Sequence, residues 1–338
     1  MSGQTACSMK RKKTFGEWFR SRKVQKWLVI VTFLFVPLLL LFVFTYIPFG
    51  KMVQFSFYNM KYIGPRTFVG LDNYKQVFQR EDCFKSLIVS VYYMGGAVIQ
   101  LALALFFATL LVFKVKGESF FKGAMVFPYL ISGIAVGFIF KFFYARGMVL
   151  DTILQAFGMK AENIPMWLQD TRINNISLAA TSVWRYMGQN MVLFLGAMMA
   201  VDTDLYEAAS LDGANKWHQF KYIILPSIKS IVVLNLILSI SGSLSAFEPP
   251  YVITNGTMGT GTYFVIMNRL AHESQKVGLA SAMAIVLLGL IVICTVAQKL
   301  FFKYVFDDGT SDETRAAVRR RKKEQRKEKK AQKEAMRA

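Results

Sequence analysis

EAASLDGANKWHQFKYIILP, residues 207–226, is a short polar stretch between two long apolar runs. Local chemistry reads it as two short helices joined by a turn. Asp204 can cap the first, with Glu207 three residues on in the reciprocal capping position. Ala208, Ala209 and Leu211 are good helix formers. Gly213 suits the left-handed residue that ends a helix, where a side chain would clash. Trp217, Phe220 and Ile224 then recur at three- and four-residue steps along one face of a second helix. Pro226 falls where the next apolar run begins, tolerated in a first turn because its missing N–H has no partner there. Ala208, Ala209 and Gly213 leave room for another surface to come close, and Trp217 and Phe220 offer aromatic anchors. The stretch reads either as a compact lever for another protein to grip or as a plain connector.

The surroundings are those of a membrane protein. Of 338 residues, 54% are hydrophobic and only 18% charged, whereas ordinary soluble domains are nearer a quarter charged. Six runs are long and apolar enough to cross about 30 Å of hydrocarbon: residues 27–49, 87–113, 120–143, 176–201, 228–247 and 278–302. The expected fold is therefore all-α and polytopic, with six transmembrane helices. The first run is too long for a signal peptide and lacks a small-residue cleavage site. Gly95, Gly96, Ala102 and Ala104 in the second run, and Gly133 and Gly137 in the third, are expected to let helices pack closely.

Charge sets the expected orientation. Most of the excess of +20 sits at the two ends, in KRKK at residues 10–13 and RRRKKEQRKEKKAQK at residues 319–333. Basic residues beside spans favour the cytoplasm, so both termini are expected there. The basic loop KVKGESFFK, residues 114–122, and the 207–226 stretch fall on the same side. Three parts follow: a basic segment over residues 1–26, a six-span domain over 27–303 holding the 202–226 loop, and a charged tail over 304–338. The tail lacks apolar periodicity and is expected to meet anionic membrane lipid. The terminal charges carry no base-reading or stacking side chains, which argues against nucleic acid.

Other classes lose ground on what the chain lacks. Cys7, Cys83 and Cys294 are far apart, and His218 and His272 are the only histidines, so no metal-ligand spacing is present. No nucleophile–base pair stands near a span end, and no catalytic residue is assigned. An ion-coupled secondary transporter, the alternative reading, needs intramembrane carboxylates, and the six runs contain essentially none. Arg185 is the sharpest polar residue within a run. A charge about two turns inside a span either faces a cavity or partner or snorkels to the interface.

The spacing Glu207-Ala208-Ala209, three residues, Gly213, nine residues, Ile223, one residue, Leu225-Pro226 resembles the EAA signature of ATP-binding-cassette importer permeases. The surrounding sequence is similar to the carbohydrate permeases of the maltose type. PRTFVGLDNYKQVF (65–78), MVFPYLISGIAVGFIFKFFYARGMVLDTIL (125–154), MWLQD (166–170) and SVWRYMGQNMVLFLGAM (182–198) carry the likeness along most of the chain. VITNGTMGTGT (252–262) departs from it, keeping Thr254 and the glycines but lacking the proline of the family's Thr-x-Gly-Gly-Pro stretch.

The resemblance implies a bacterial inner-membrane subunit that binds no cofactor itself. ATP and Mg would be held by two separate ATP-binding subunits, consistent with the lack of a phosphate-binding GxxxxGK[ST] loop here. It implies further partners: a second permease subunit, an extracytoplasmic solute-binding protein and a carbohydrate substrate. Glu207, Ala208, Ala209, Leu211, Asp212, Gly213, Trp217, Phe220, Leu225 and Pro226 would form the ATPase-coupling surface. A sugar crossing the membrane needs polar groups, because each unpaired hydroxyl costs a few kcal/mol to bury. The candidates are Trp184, Arg185, Tyr186, Gln189 and Asn190 in the fourth run and Asn235, Ser239 and Ser243 in the fifth. Interhelical hydrogen bonding is the competing role for each of them.

Overall fold

Long apolar runs can satisfy their backbone groups only as helices, and helices make up nearly all of the regular structure. The computed structural model describes residues 22–113 and 115–306. Most of the basic segment expected over residues 1–26, Lys114 of the basic loop and the charged tail from 307 onward lie outside the described residues.

Helix α1 (Arg22–Leu41) runs through a π-helical turn (Phe42–Tyr46) into α2 (Ile47–Phe55). A two-residue hairpin, β1 (Tyr58–Asn59) with β2 (Thr67–Phe68), and α3 (Asp72–Gln79) lead to the long α4 (Glu81–Val112). Then come α5 (Glu118–Leu130), α6 (Gly133–Phe143), α7 (Val149–Ala156) and α8 (Asn174–Met199). The polar stretch holds α9 (Thr203–Leu211) and α10 (Lys216–Gln219). A second π-helical turn (Phe220–Ile224) joins α10 to α11 (Leu225–Ser243), and α12 (Glu248–Thr254), α13 (Tyr263–His272) and α14 (Val277–Phe306) complete the chain.

The expected six spans are only partly realised by length and composition. Four helices qualify outright: Gln25–Phe55, Glu81–Val112, Lys216–Thr254 and Val277–Tyr304. The third expected run is broken. Ile131 and Ser132 are extended, Ser132 Oγ accepts from Ala135 N at the start of α6, and α5 and α6 meet at 98°. Counted as one, this pair makes a fifth span. The fourth run forms α8, which at 26 residues is long enough to cross but is not apolar enough to be counted. The reason is burial: one face of α8 meets protein rather than lipid and can carry Asn174, Asn175 and Asn190.

The centre of the bundle is α4 packed against α8, with α5 and α11 alongside. Ala104 and Ala108 of α4, both fully buried, let Met191, Phe194 and Met198 of α8 close in. Gly96 backs onto Ala179 and Val183. The small residues therefore divide: Gly96 and Ala104 face the contact, while Gly95 and Ala102 are exposed on the other side of α4. Such close approach matters because apolar lipid leaves packing as the main source of helix association. A second core joins α14 to α3 and α13, where the buried Tyr263 hydroxyl donates to Met283 O at 3.1 Å.

The end of the bundle away from residues 207–226 is stitched by polar groups. Asn174 and Asn175 at the start of α8 donate to Met258 O and Gly259 O. Thr254 and Thr260 share a hydroxyl contact at 2.6 Å, and Thr262 donates to Ala246 O. The end of α12 and the loop over residues 255–262 are thus tied down by hydrogen bonds. Nearby, Asp151 is almost fully buried and accepts from Trp167 Nε1 at 3.0 Å and Gly147 N at 2.7 Å.

Candidate functional site

The polar stretch folds as a tied helical hairpin. Asp202, not Asp204, is the N-cap of α9; its carboxylate accepts from Asp204 N at 3.1 Å. Because α8 ends at Met199, Asp202 is the residue left in extended geometry, and Glu207 falls too deep in α9 for a reciprocal cap. At the other end Gly213 has φ +80°, with Gly213 N donating to Ser210 O and Ala214 N to Ala209 O. These two bonds close the left-handed termination that the glycine was expected to supply. Asn215 then caps α10, its side chain accepting from His218 N at 2.9 Å.

The two helices are bound to each other and to the bundle. Buried Gln219 donates to Ser210 Oγ at 2.9 Å across the turn. Tyr206 and Phe220 pack on the core made by Leu111, Met198 and Ile224, and Lys216 Nζ lies 5.2 Å from the Phe113 ring centre. Burial pushes the Tyr206 phenol pKa up. What faces outward is Glu207, Ala208, Leu211, Asp212, Gly213 and Trp217, with Leu211 90% and Trp217 65% exposed. Ala209, Phe220 and Leu225 are half-buried, and Pro226 is exposed. Ala209, Asp212, Gly213, His218 and Tyr222 line an open groove on this surface.

Pro226 does not open a separate span. The helix begun at Lys216 passes through the π-helical turn into α11 without a break, so Pro226 sits inside a continuous helix. The widened turn at Phe220–Ile224 accommodates a residue that has no N–H to donate. The same helix goes on to carry Asn235, Ser239 and Ser243.

Those three residues line a cavity of about 350 Å³ between α4, α8 and α11. Tyr186, Gln189 and Asn190 face it from α8. Six of the eight pathway candidates thus meet in one place. Asn190 Nδ2 also donates to Tyr186 O, and Ser243 Oγ to Ser239 O, so both are partly occupied within their own helices. Trp184 is absent from the wall and packs edge-on against Phe140, with ring centres 5.2 Å apart.

Arg185 is also absent from the wall, and it is paired within the protein. Its Nη1 stands 3.5 Å from Glu248 Oε1 at the start of α12 and donates to the Tyr186 hydroxyl at 3.3 Å. Gly133 makes room for the pair: a Cβ there would lie 2.6 Å from Arg185 Nη1 and 2.9 Å from Glu248 Cγ. Tyr93 and Gln100 of α4 and Glu248 complete the wall and were missed from sequence. Tyr93 and Gln100 lie two helical turns apart, and that spacing of polar groups in an apolar run is the signal that could have found them.

The family of binding-protein-dependent transport system inner membrane components matches residues 100–306, more than half of the chain. The chain belongs to this family. The match takes in the helical hairpin and most of the cavity wall of this inner membrane component. It is similar to the probable ABC transporter permease protein YurN of Bacillus subtilis (strain 168), 30% identical over 282 residues, covering 81% of this chain and 96% of YurN. It is 27% identical over 269 residues to the probable starch degradation products transport system permease protein AmyD of Thermoanaerobacterium thermosulfurigenes, covering 79% and 91%. Its fold matches a chain in the crystal structure of a bacterial alginate ABC transporter in complex with alginate pentasaccharide-bound periplasmic protein. That match has a TM-score of 0.72 at 18% identity and covers 86% of this chain and 99% of the other.

Proposed function

We propose that this inner membrane component is the permease subunit of an ATP-driven sugar importer. It would pair with a second permease, the two together docking two ATP-binding subunits on the cytoplasmic side, and receive sugar from an extracytoplasmic binding protein. The observation that carries this reading is the continuity of one helix. Trp217, exposed in the tied hairpin, and Asn235, Ser239 and Ser243, on the cavity wall, belong to a single run from Lys216 to Ser243. Displacement of the hairpin would therefore carry the α11 side of the wall with it. Ser210–Gln219 pairing keeps α9 and α10 together under that load. For ATP to switch the cavity between sides, its binding must favour one state by several kcal/mol, since binding without preference shifts nothing.

The kinship to AmyD supports sugar as cargo, and the amide- and hydroxyl-rich wall is chemically suited to it. The charge of the flanks supports a cytoplasmic side for both termini and contact of the basic tail with anionic lipid. Native mass measurement and proteoliposome uptake test the proposal. The expected complex holds one copy of this chain, one second permease and two ATP-binding subunits, and takes up sugar only with ATP. Two copies of this chain without a second permease would overturn the hetero-assembly. Uptake driven by an ion gradient without ATP would favour a secondary transporter instead.

A further inference from the structure

The cavity wall carries a charge asymmetry that the permease reading does not use. Among the described residues lining it, Glu248 is the one with a charged side chain, and that side chain is 40% exposed. The nearest cation, Arg185, is only 12% exposed. It is held behind the wall by Glu248 and by the Tyr186 ring, whose centre lies 5.1 Å from the guanidinium carbon. The rest of the polar wall is amides and hydroxyls. One of them, the Tyr93 hydroxyl, is buried without a hydrogen-bond partner among the described residues, on a side chain 4% exposed. An orphan hydroxyl in such a place is satisfied when a ligand brings its own donor or acceptor.

We infer that this cavity selects uncharged polyhydroxyl ligands over anionic ones, with Glu248 setting the preference. This deepens the importer reading and rests on it. A sugar hydroxyl entering the cavity can donate to the Glu248 carboxylate and pair with the Tyr93 hydroxyl and the Asn235 and Gln189 amides. A uronate or sugar phosphate meets Glu248 as a like charge. The anion of the Arg185–Glu248 pair is the end that faces the cavity, while its cation is held behind the wall, so an incoming anion meets the repulsive end first. Charges interact more strongly in a partly enclosed cavity than in bulk water, so one carboxylate suffices to discriminate. The permease would then filter charge independently of the binding protein that feeds it.

The test is equilibrium binding of labelled maltotriose and trimannuronate to the assembled transporter in lipid nanodiscs, without binding protein. Wild type is expected to bind maltotriose at least about tenfold more tightly than trimannuronate. Glu248→Gln removes the anion and frees Arg185, so trimannuronate binding should strengthen by about tenfold or more relative to maltotriose. The double variant Arg185→Gln/Glu248→Gln leaves no uncompensated charge, and it too should lose the discrimination even where the single variant fails to assemble. Equal or tighter trimannuronate binding by wild type, unchanged discrimination in both variants, or no binding of either probe would overturn the inference. ATP-dependent uptake, measured in parallel, reports on the importer reading alone: its absence alongside an intact binding contrast would sink that reading and leave the charge filter standing.

Discussion

Gly188 of α8 stands against the Met125 carbonyl of α5 so closely that a Cβ on Gly188 would lie 1.7 Å from that oxygen. The obstacle is backbone, not the end of a flexible side chain, so a larger residue forces the two helices apart. Gly196, two turns further along α8, has nothing within 4 Å of the same position.

Gly188→Ala should therefore lower the midpoint of thermal unfolding in detergent and reduce the yield of assembled complex. Overpacking typically costs about 1–3 kcal/mol, and a backbone clash belongs at the upper end. Gly196→Ala should be neutral or slightly stabilising, because alanine is the better helix former by about 1 kcal/mol. Equal midpoints for the two variants would show that α5 and α8 separate freely.

At Gly213 the constraint is conformational, not steric contact, since φ is +80° and the space around it is open. Gly213→Val places a β-branched residue in the left-handed region at a cost of about 1–2 kcal/mol and loosens the turn between α9 and α10. Membrane insertion should persist while co-purification of ATP-binding subunits, or coupling of hydrolysis to uptake, is lost. Gly213→Asn, which tolerates that geometry, should retain most function. Wild-type uptake by the valine variant would remove the hairpin from the coupling path.

Asp151 organises the segment between α6 and α8. Replacing it by alanine removes the acceptor of Trp167 Nε1 and Gly147 N and the ion-pair partner of Arg146, at roughly 1–3 kcal/mol in all. Asp151→Ala should be cut faster by protease between residues 145 and 170, with the α4–α8 core unaffected. Asp151→Asn keeps one acceptor oxygen and should fall between the two. Identical cleavage rates in all three proteins would mean that other contacts hold this segment.

The turn at Gly213 and the apolar runs are legible in the sequence because each depends on neighbours along the chain. A left-handed residue after a helix is a local demand, and a span is a local length of apolar side chains. The hairpin's N-cap slipped by two residues, from Asp204 to Asp202, because the cap is set by where the preceding helix stops, and α8 stops at Met199. The break at Ile131 and Ser132 has a related cause: the run from 120 to 143 is mostly apolar, and composition does not record a change of direction.

The cavity was half legible. Gln189, Asn190, Asn235, Ser239 and Ser243 stand out as polar groups in apolar runs, so sequence alone nominates them. That they share one cavity with Tyr93, Gln100 and Glu248, and that Arg185 does not, was decided only by tertiary structure. Arg185 is a lone charge on one helix until packing at Gly133 brings α6, α8 and α12 together and sets Glu248 3.5 Å away. A charge's nearest counter-charge is a property of distance in space, and between residues far apart along the chain no local pattern encodes it.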